Sequence, residues 1–292
     1  MKIAVCIKWV PDPEYPLRAT ADGLSLDAPG LTYMASPLDM VACEAGVRLK
    51  EAAGGSVSLF TAGPEAADAG LRAALSLGAD DATRVSFAGG GLSGGTRTGR
   101  LLAAAIALEV PDVILCGTRS PDSGSEAVPA SIAELLGMPL VTNVVSLSGI
   151  GPLEIERRLE GGRRQTLRVQ PPVVIALEES LCDPRYPSVL ARRKADRAAI
   201  TLRTAAELGV ELPELALTLV RLQGPRPLNA RLVAPAPELP ARERLAYILA
   251  GGPDQKRSSN RLEGPVAAIT DQLLAFLVAN GVVNRENGGH GS

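Results

Sequence analysis

Histidine and aromatic residues are scarce in this sequence. Its 292 residues include a single histidine, His290, in a glycine-rich tail. Because its only histidine lies in such a tail, we expect the chain to have no Ser-His-Asp or Cys-His catalytic unit, and a single histidine excludes a metal site built on several. Aromatic residues make up 3% of the chain, too few for a platform that stacks single-stranded nucleic acid. We therefore expect a binding or carrier protein, with no catalysis of its own.

Neither sign of charge is in excess, and long apolar runs are absent. The 30 basic and 32 acidic residues leave a net charge of −2, which gives no reason to expect a nucleic-acid partner. No apolar run approaches the ~20 residues that span a bilayer, and the run at residues 3–7 is too short for a signal peptide. We expect a cytoplasmic protein without membrane insertion. Cys6 and Cys116 lie in apolar, strand-like runs and are interpreted as buried structural thiols.

Short apolar runs alternate with segments of helical spacing along residues 2–177. This succession predicts an α/β fold with a doubly wound, mostly parallel sheet of Rossmann-like type, and residues 153–169 read as a hairpin. The predicted strands are residues 2–10, 56–60, 82–86, 112–116, 153–159, 164–169 and 172–177, and the predicted helices are residues 39–53, 64–77, 98–109 and 130–136.

The character of the chain changes after about residue 200. Proline becomes frequent over residues 213–240, as in an extended arm, and residues 266–280 have the spacing of an amphipathic helix. We predict an α/β domain over residues 1–205 and a C-terminal arm and helix over residues 206–292. This second part packs either on its own domain or on another protein.

The most informative segment is the loop at residues 117–129, which is rich in serine and glycine. It follows the predicted strand at 112–116 and opens the predicted helix at 130–136. In an open α/β sheet ligands bind at such a place, and loop amides with a helix N-terminus can take a phosphate. A plain connector of the same composition is the alternative.

Several segments together resemble the β subunits of electron-transfer flavoproteins and their FixA relatives. The resemblance covers residues 1 to about 225. It rests on residues 2–12, 34–37, 44–51, 62–64, 71–80, 155–168 and 183–194, which include Val10-Pro-Asp, Ala62-Gly-Pro and Asp183-Pro-Arg-Tyr.

The resemblance implies a heterodimer that carries electrons and is not itself an enzyme. An α subunit would hold the redox-active FAD, and the β subunit would share that FAD pocket and bind AMP. In flavin-bifurcating members the β subunit holds a second FAD that oxidises NADH. Implied partners are acyl-CoA dehydrogenase-type flavoproteins of fatty acid β-oxidation and a quinone oxidoreductase or similar acceptor, and residues 206–292 would pack on the α subunit. A stand-alone adenine-nucleotide-binding enzyme or stress-type protein is the alternative from another class.

Site residues follow from the same resemblance. The implied nucleotide-binding residues are Cys6, Ile7, Lys8, Ser36, Pro37, Ala62, Gly63, Gly117, Arg119, Ser120, Asp122, Ser123, Gly124, Ser125, Glu126, Ala127 and Val128. Pro13 and Arg18 would face the flavin. A partner-recognition loop at residues 183–193 would use Asp183, Pro184, Arg185, Tyr186, Val189 and Leu190.

Two features of the loop depart from the family pattern. The loop lacks the threonine and glutamine common in the family, so Ser123 and Ser125 are the expected replacements as donors. Glu126 is unfavourable for a diphosphate. Since a carboxylate repels phosphate, we expect Asp122 to accept hydrogen bonds from loop amides or to cap the helix.

Overall fold

The computed structural model describes residues 1–15, 18, 20, 31–87, 95–212, 235, 238–249 and 264–279. The strands among them are β1 Lys2–Cys6, β2 Trp9–Pro11, β3 Tyr33–Ala35, β4 Ser56–Gly63, β5 Asp81–Ser86, β6 Val113–Gly117, β7 Leu140–Ser148, β8 Leu153–Arg158, β9 Arg164–Val169, β10 Val173–Leu177 and β11 Thr201–Arg203. The α-helices are α1 Pro37–Ala53, α2 Asp68–Leu75, α3 Gly95–Ala107, α4 Ala127–Leu136, α5 Val189–Arg197, α6 Ala241–Leu249 and α7 Val266–Ala279.

Nine strands form one sheet in the order β11-β5-β4-β1-β6-β10-β7-β8-β9. All neighbours from β11 to β7 pair in parallel, and β7-β8-β9 are antiparallel. Strands β2 and β3 form a separate antiparallel ribbon. The predicted mostly parallel α/β sheet and its hairpin at β8–β9 are confirmed.

Helices cover both faces of this sheet, as the alternation of side chains in β1 shows. Ile3 and Val5 belong to the core cluster that α1 and α2 cover, whereas Ala4 and Cys6 belong to the cluster that α3 and α4 cover. Because successive residues of a strand point to opposite faces, a strand buried on both sides is apolar throughout. The continuous apolar runs read from the sequence have this cause.

Several elements differ from the prediction, and three of these differences have a local cause. The strand predicted at residues 2–10 is interrupted after Cys6, where the backbone of Lys8 leaves the sheet to bond Asp39 and Ser36 instead. Strand β7 was not predicted, because Thr142 and Asn143 break its apolar pattern and Asn143 adopts a left-handed φ of 58°. Helix α4 begins three residues earlier than predicted, since proline is tolerated in a first turn, where the missing N–H has no intrahelical partner.

The chain divides into two compact units, residues 1–224 and 225–292. The predicted boundary at residue 205 falls inside the first unit, where Leu208, Val210 and Leu212 pack against the α3–α4 side of the core. The second unit contains α6 and α7. Most of the proline-rich stretch 213–240, and the tail with His290, lie outside the described residues. Within the described residues, no helix combines the length and apolarity needed to cross a membrane.

Candidate functional site

A cavity of about 640 Å³ opens at the carboxyl ends of the central parallel strands. Lys8 follows β1, Pro64 follows β4, Phe87 follows β5 and Thr118 follows β6, and all four line it. The cavity lies where β1 and β6 are neighbours while the helices α1 and α3 cover opposite faces of the sheet. This is the switch point at which open α/β sheets bind ligands.

Most of the residues predicted to bind a nucleotide meet at this cavity. The lining includes Cys6, Ile7, Lys8, Ala62, Gly63, Gly117, Arg119, Ser120, Asp122, Ser123, Ser125, Glu126, Ala127 and Val128. Ser36, Pro37 and Gly124 are not part of it. Ser36 is buried at the N-terminus of α1, where its amide donates to the carbonyl of Lys8.

Lys8 ties the end of β1 to the loop after β6. Its Nζ donates to Asp122 Oδ1 at 2.6 Å, to Ser120 Oγ at 3.0 Å and to Ser123 Oγ at 3.3 Å. The backbone amide of Ser123 also donates to Asp122, at 2.7 Å. The carboxylate of Asp122 thus accepts hydrogen bonds from a loop amide and from the Lys8 ammonium. An anion in the cavity would therefore meet the hydroxyls of Ser120 and Ser123 rather than this carboxylate.

The charge on Asp122 is stabilised by these contacts. Partial burial alone would raise its pKa, but the hydrogen bond and the charge of Lys8 outweigh burial and lower the pKa below its usual value. The ion pair is therefore formed at neutral pH. Both side chains remain partly exposed, so it contributes little to stability and chiefly fixes the loop.

The loop ends at Glu126, the first residue before α4. Glu126 has a left-handed φ of 54° and its side chain makes no capping hydrogen bond. The amides of Ala127 and Val128 begin the helix at the rim of the cavity. A helix N-terminus attracts anions through its amides and dipole, so this end of the cavity favours a phosphate.

Asp39 is a site residue that sequence reasoning missed. It lies in the first turn of α1, is buried, and accepts from the amide of Lys8 at 2.8 Å and from that of Gly117 at 3.0 Å. Burial raises its pKa to about 6 against the opposing effect of these two amides. The available signal was a lone acid between apolar residues just after Ser36-Pro37.

Gly117 leaves room for this contact because it has no side chain. A Cβ at this position would lie 2.7 Å from Asp39 Oδ1 and 2.8 Å from Leu38 Cβ. The close approach of α1 to the end of β6 therefore requires glycine at the start of the loop.

Three aromatic side chains line the cavity. The only tryptophan of the chain, Trp9, lines it together with Tyr33 and Phe87. Trp9 and Tyr33 are stacked with ring centroids 6.2 Å apart, and the guanidinium of Arg97 lies 5.6 Å from the centre of the Phe87 ring. These planar groups and the apolar floor suit a ligand with an aromatic ring.

The predicted partner-recognition loop lies against α1, away from the cavity, and Arg185 anchors it. The guanidinium of Arg185 donates to both oxygens of Glu44 and to both oxygens of Glu51. Arg48 also donates to Glu44, and through Nη2 to the carbonyl of Asp183. Burial alone would raise the pKa of Glu44, but the hydrogen bonds from Arg185 and Arg48 lower it below the usual value. Arg185 thus anchors the loop to α1 through ion pairs with Glu44 and Glu51.

Beyond this anchor the loop presents apolar side chains to solvent. Tyr186 is 97% exposed, Val189 is 70% exposed and Leu190 is 77% exposed. Helix α5 begins at Val189 with Ser188 as its N-cap, so these two residues start a helix yet do not pack on the parent domain. Pro13 and Arg18, predicted to face a flavin, are exposed and do not line the cavity.

Comparison with known proteins gives a consistent result. The family model of the electron transfer flavoprotein domain matches residues 24–208. The chain is 37% identical over 223 residues to the electron transfer flavoprotein subunit beta of Mycobacterium tuberculosis, covering 74% of this chain and 83% of that protein. It is 31% identical over 223 residues to the protein FixA of Azorhizobium caulinodans, covering 72% and 78%. It is 32% identical over 190 residues to the acryloyl-CoA reductase electron transfer subunit gamma of Anaerotignum propionicum, covering 64% and 71%.

Proposed function

The chain belongs to the electron transfer flavoprotein family, as a relative of its β subunits and FixA proteins, and from this we propose that it is the β subunit of a heterodimeric electron carrier. In this proposal the α subunit holds the redox-active FAD. The chain described here binds an adenine nucleotide and presents a docking loop to flavoprotein dehydrogenases. It performs no catalysis by itself and passes electrons on to an acceptor such as a quinone oxidoreductase.

The observation that carries the nucleotide role is the cavity at the switch point, with Lys8 reaching into the serine-rich loop. Ser120 and Ser123 accept from Lys8 and lie 3.0 Å apart, and these two hydroxyls are the candidate donors to a phosphate oxygen. Ala62 and Gly63 at the end of β4 allow a ligand to approach the backbone, and the rings around the cavity can pack against adenine.

The charges around the loop favour one phosphate over two. Lys8 and Arg119 bring two positive charges to the cavity, and Asp122 and Glu126 bring two negative ones. A monophosphate needs a single cluster of donors, whereas a diphosphate extends over more of the loop, where the carboxylate of Glu126 repels a second anionic group. We infer that the resident nucleotide is AMP rather than a second FAD.

The docking role is supported by the exposed apolar tip of residues 186–190. Three large apolar side chains stand in solvent on a loop that Arg185 holds in place. Cations follow on α5, namely Arg192, Arg193, Lys194 and Arg197. An apolar tip that fills a partner pocket, with cations that steer approach to an acidic rim, fits a transient encounter between redox proteins.

The C-terminal unit fits a role in holding the two subunits together. Helix α7 is strongly apolar in sequence, yet none of its residues is buried within the described part of the chain. Val266, Leu273 and Leu274 are among its exposed side chains. We propose that this surface packs on the α subunit.

Co-expression with a neighbouring α-type gene tests the proposal. We expect the two chains to co-purify as a yellow complex that releases one FAD and one AMP per heterodimer on denaturation. Two FAD molecules and no AMP would identify a flavin-bifurcating β subunit instead. A colourless chain that forms no complex, or adenosine triphosphate hydrolysis that persists through purification, would support a stand-alone nucleotide-binding enzyme and refute the proposal.

A further inference from the structure

Two thiols face each other at the floor of the cavity. Strands β1 and β6 pair in parallel with Ile3 opposite Val113 and Val5 opposite Leu115. Continuing this register by one residue places Cys6 opposite Cys116. Both residues belong to the α3–α4 side of the core, so their side chains point to the same face of the sheet, and both line the cavity.

The spacing of the strands brings these thiols within bonding range. Neighbouring strands lie about 4.8 Å apart, and disulfides join residues whose Cα atoms are about 4.4–6.8 Å apart. The pKa of the Cys116 thiol is raised well above its usual value, first by the hydrogen bond between the two thiols and then by burial, which is consistent with direct contact of the two sulfurs.

We propose that Cys6 and Cys116 form an oxidisable dithiol that closes to a disulfide when the cavity is empty and is shielded when a nucleotide fills it. The oxidant is a hydroperoxide. One thiol reduces hydrogen peroxide to water and becomes a sulfenic acid, and the second thiol displaces the hydroxyl group as water. Overall two thiols and one peroxide give one disulfide and two molecules of water.

Shielding follows from the position of the sulfurs. Both side chains are buried and both line the cavity, so a ligand on the cavity floor blocks the approach of peroxide from the cavity. Because the thiolate is the nucleophile, the raised pKa makes the reaction slow at neutral pH and faster as the pH rises. The disulfide therefore accumulates when the empty cavity is exposed to peroxide for a long time, and forms little during brief oxidation.

The other two cysteines lack these features and serve as internal controls. Cys43 is a buried residue of α1, where its Sγ donates to the carbonyl of Ala74, and it does not line the cavity. Cys182 is half-buried, its Sγ donates to the carbonyl of Val41, and it does not line the cavity either. No other cysteine exists in the sequence to compete for either thiol of the pair.

The test uses the full chain, freed of nucleotide with charcoal, and treated with hydrogen peroxide near the ordinary thiol pKa of about 8.5. Trypsin separates all four cysteines, since Cys6 lies on residues 3–8 and Cys116 on residues 101–119. We expect non-reducing mass spectrometry to find these two peptides joined, and Cys43 and Cys182 unjoined. Cys116→Ser should abolish the crosslink, and the matched variant Cys43→Ser should leave it intact.

Protection rests on the proposed nucleotide function, so AMP binding is measured separately by equilibrium dialysis. With AMP at about ten times its Kd, about one-tenth of the chains are empty and crosslinking should slow about tenfold. Equal rates with and without bound AMP would overturn the shielding. Recovery of both peptides uncrosslinked from the emptied chain would overturn the dithiol itself. Failure of AMP to bind would instead refute the nucleotide role. The crosslink in the emptied chain would still show whether Cys6 and Cys116 form a disulfide.

Discussion

Replacing Arg185 with methionine should destabilise the chain. It should also weaken docking indirectly, because Arg185 holds the docking loop in place and does not itself contact the partner. Methionine keeps much of the side-chain volume but removes every guanidinium contact with Glu44 and Glu51. The side chain of Glu44 is only 1% exposed, so its charge cannot be rehydrated in place. Removal of one partner from a buried ion pair costs about 3–5 kcal/mol. Arg48 still donates to Glu44, so we expect the lower end, about 3 kcal/mol.

Glu51 supplies the matched control. It receives the same guanidinium, but its side chain is 53% exposed and water can replace the lost contact. Glu51→Gln should therefore cost no more than about 1 kcal/mol, as exposed ion pairs do. Both variants alter the same ion-pair cluster. Arg185→Met leaves the buried charge of Glu44 without this partner, whereas Glu51→Gln leaves no buried charge uncompensated.

Urea unfolding followed by circular dichroism at neutral pH measures both free energies. The folded pKa of Glu44 lies below its usual value of 4.5, so its contribution is present above that pH and is lost as the pH falls through the lowered pKa. The difference between wild type and Arg185→Met should shrink accordingly in acid. If Arg185→Met costs as little as Glu51→Gln, or the difference is unchanged by acid, the buried anchor is refuted. Weaker partner binding with unchanged stability would assign Arg185 to direct contact.

Three further outcomes are expected. Gly117→Val should abolish nucleotide retention and weaken the heterodimer, because the valine Cβ would lie 2.7 Å from Asp39 Oδ1. Chromatography of the released nucleotide measures retention, and gel filtration measures the heterodimer. Full AMP content in the variant would contradict this prediction. Lys8→Met removes a charge-assisted donor worth about 1.5–3 kcal/mol, so AMP should bind about ten- to a hundredfold more weakly by equilibrium dialysis, and unchanged affinity would place the phosphate elsewhere. Val189→Ala with Leu190→Ala should cost about 1–3 kcal/mol of partner affinity in a titration of electron transfer, with urea stability close to wild type; unfolding of the double variant would make these residues structural.

The local pattern of the sequence determined the type and order of most elements. The β1, β6 and β10 strands could be recognised because a parallel strand covered on both faces is largely apolar, and α1 and α3 because apolar residues recur in each at helical spacing. The loop after β6 could be placed at the ligand-binding edge of the sheet, because the carboxyl ends of parallel strands share one edge. The family followed from several motifs at the right spacing, none of them specific alone.

Only the tertiary structure could decide which side chains meet. Asp39 and Gly117 are 78 residues apart, and Arg185 and Glu44 are 141 apart, so no local pattern signals either contact. Strand β7 escaped prediction because its bulge at Asn143 is stabilised by pairing with β8 and β10, not by its own residues. The anchoring role of Arg185 is hidden for the same reason: the sequence shows its charge, but only packing against α1 shows that Glu44 and Glu51 engage that charge. Likewise, each of Cys6 and Cys116 reads as one buried thiol, and only the register of β1 with β6 makes them a pair.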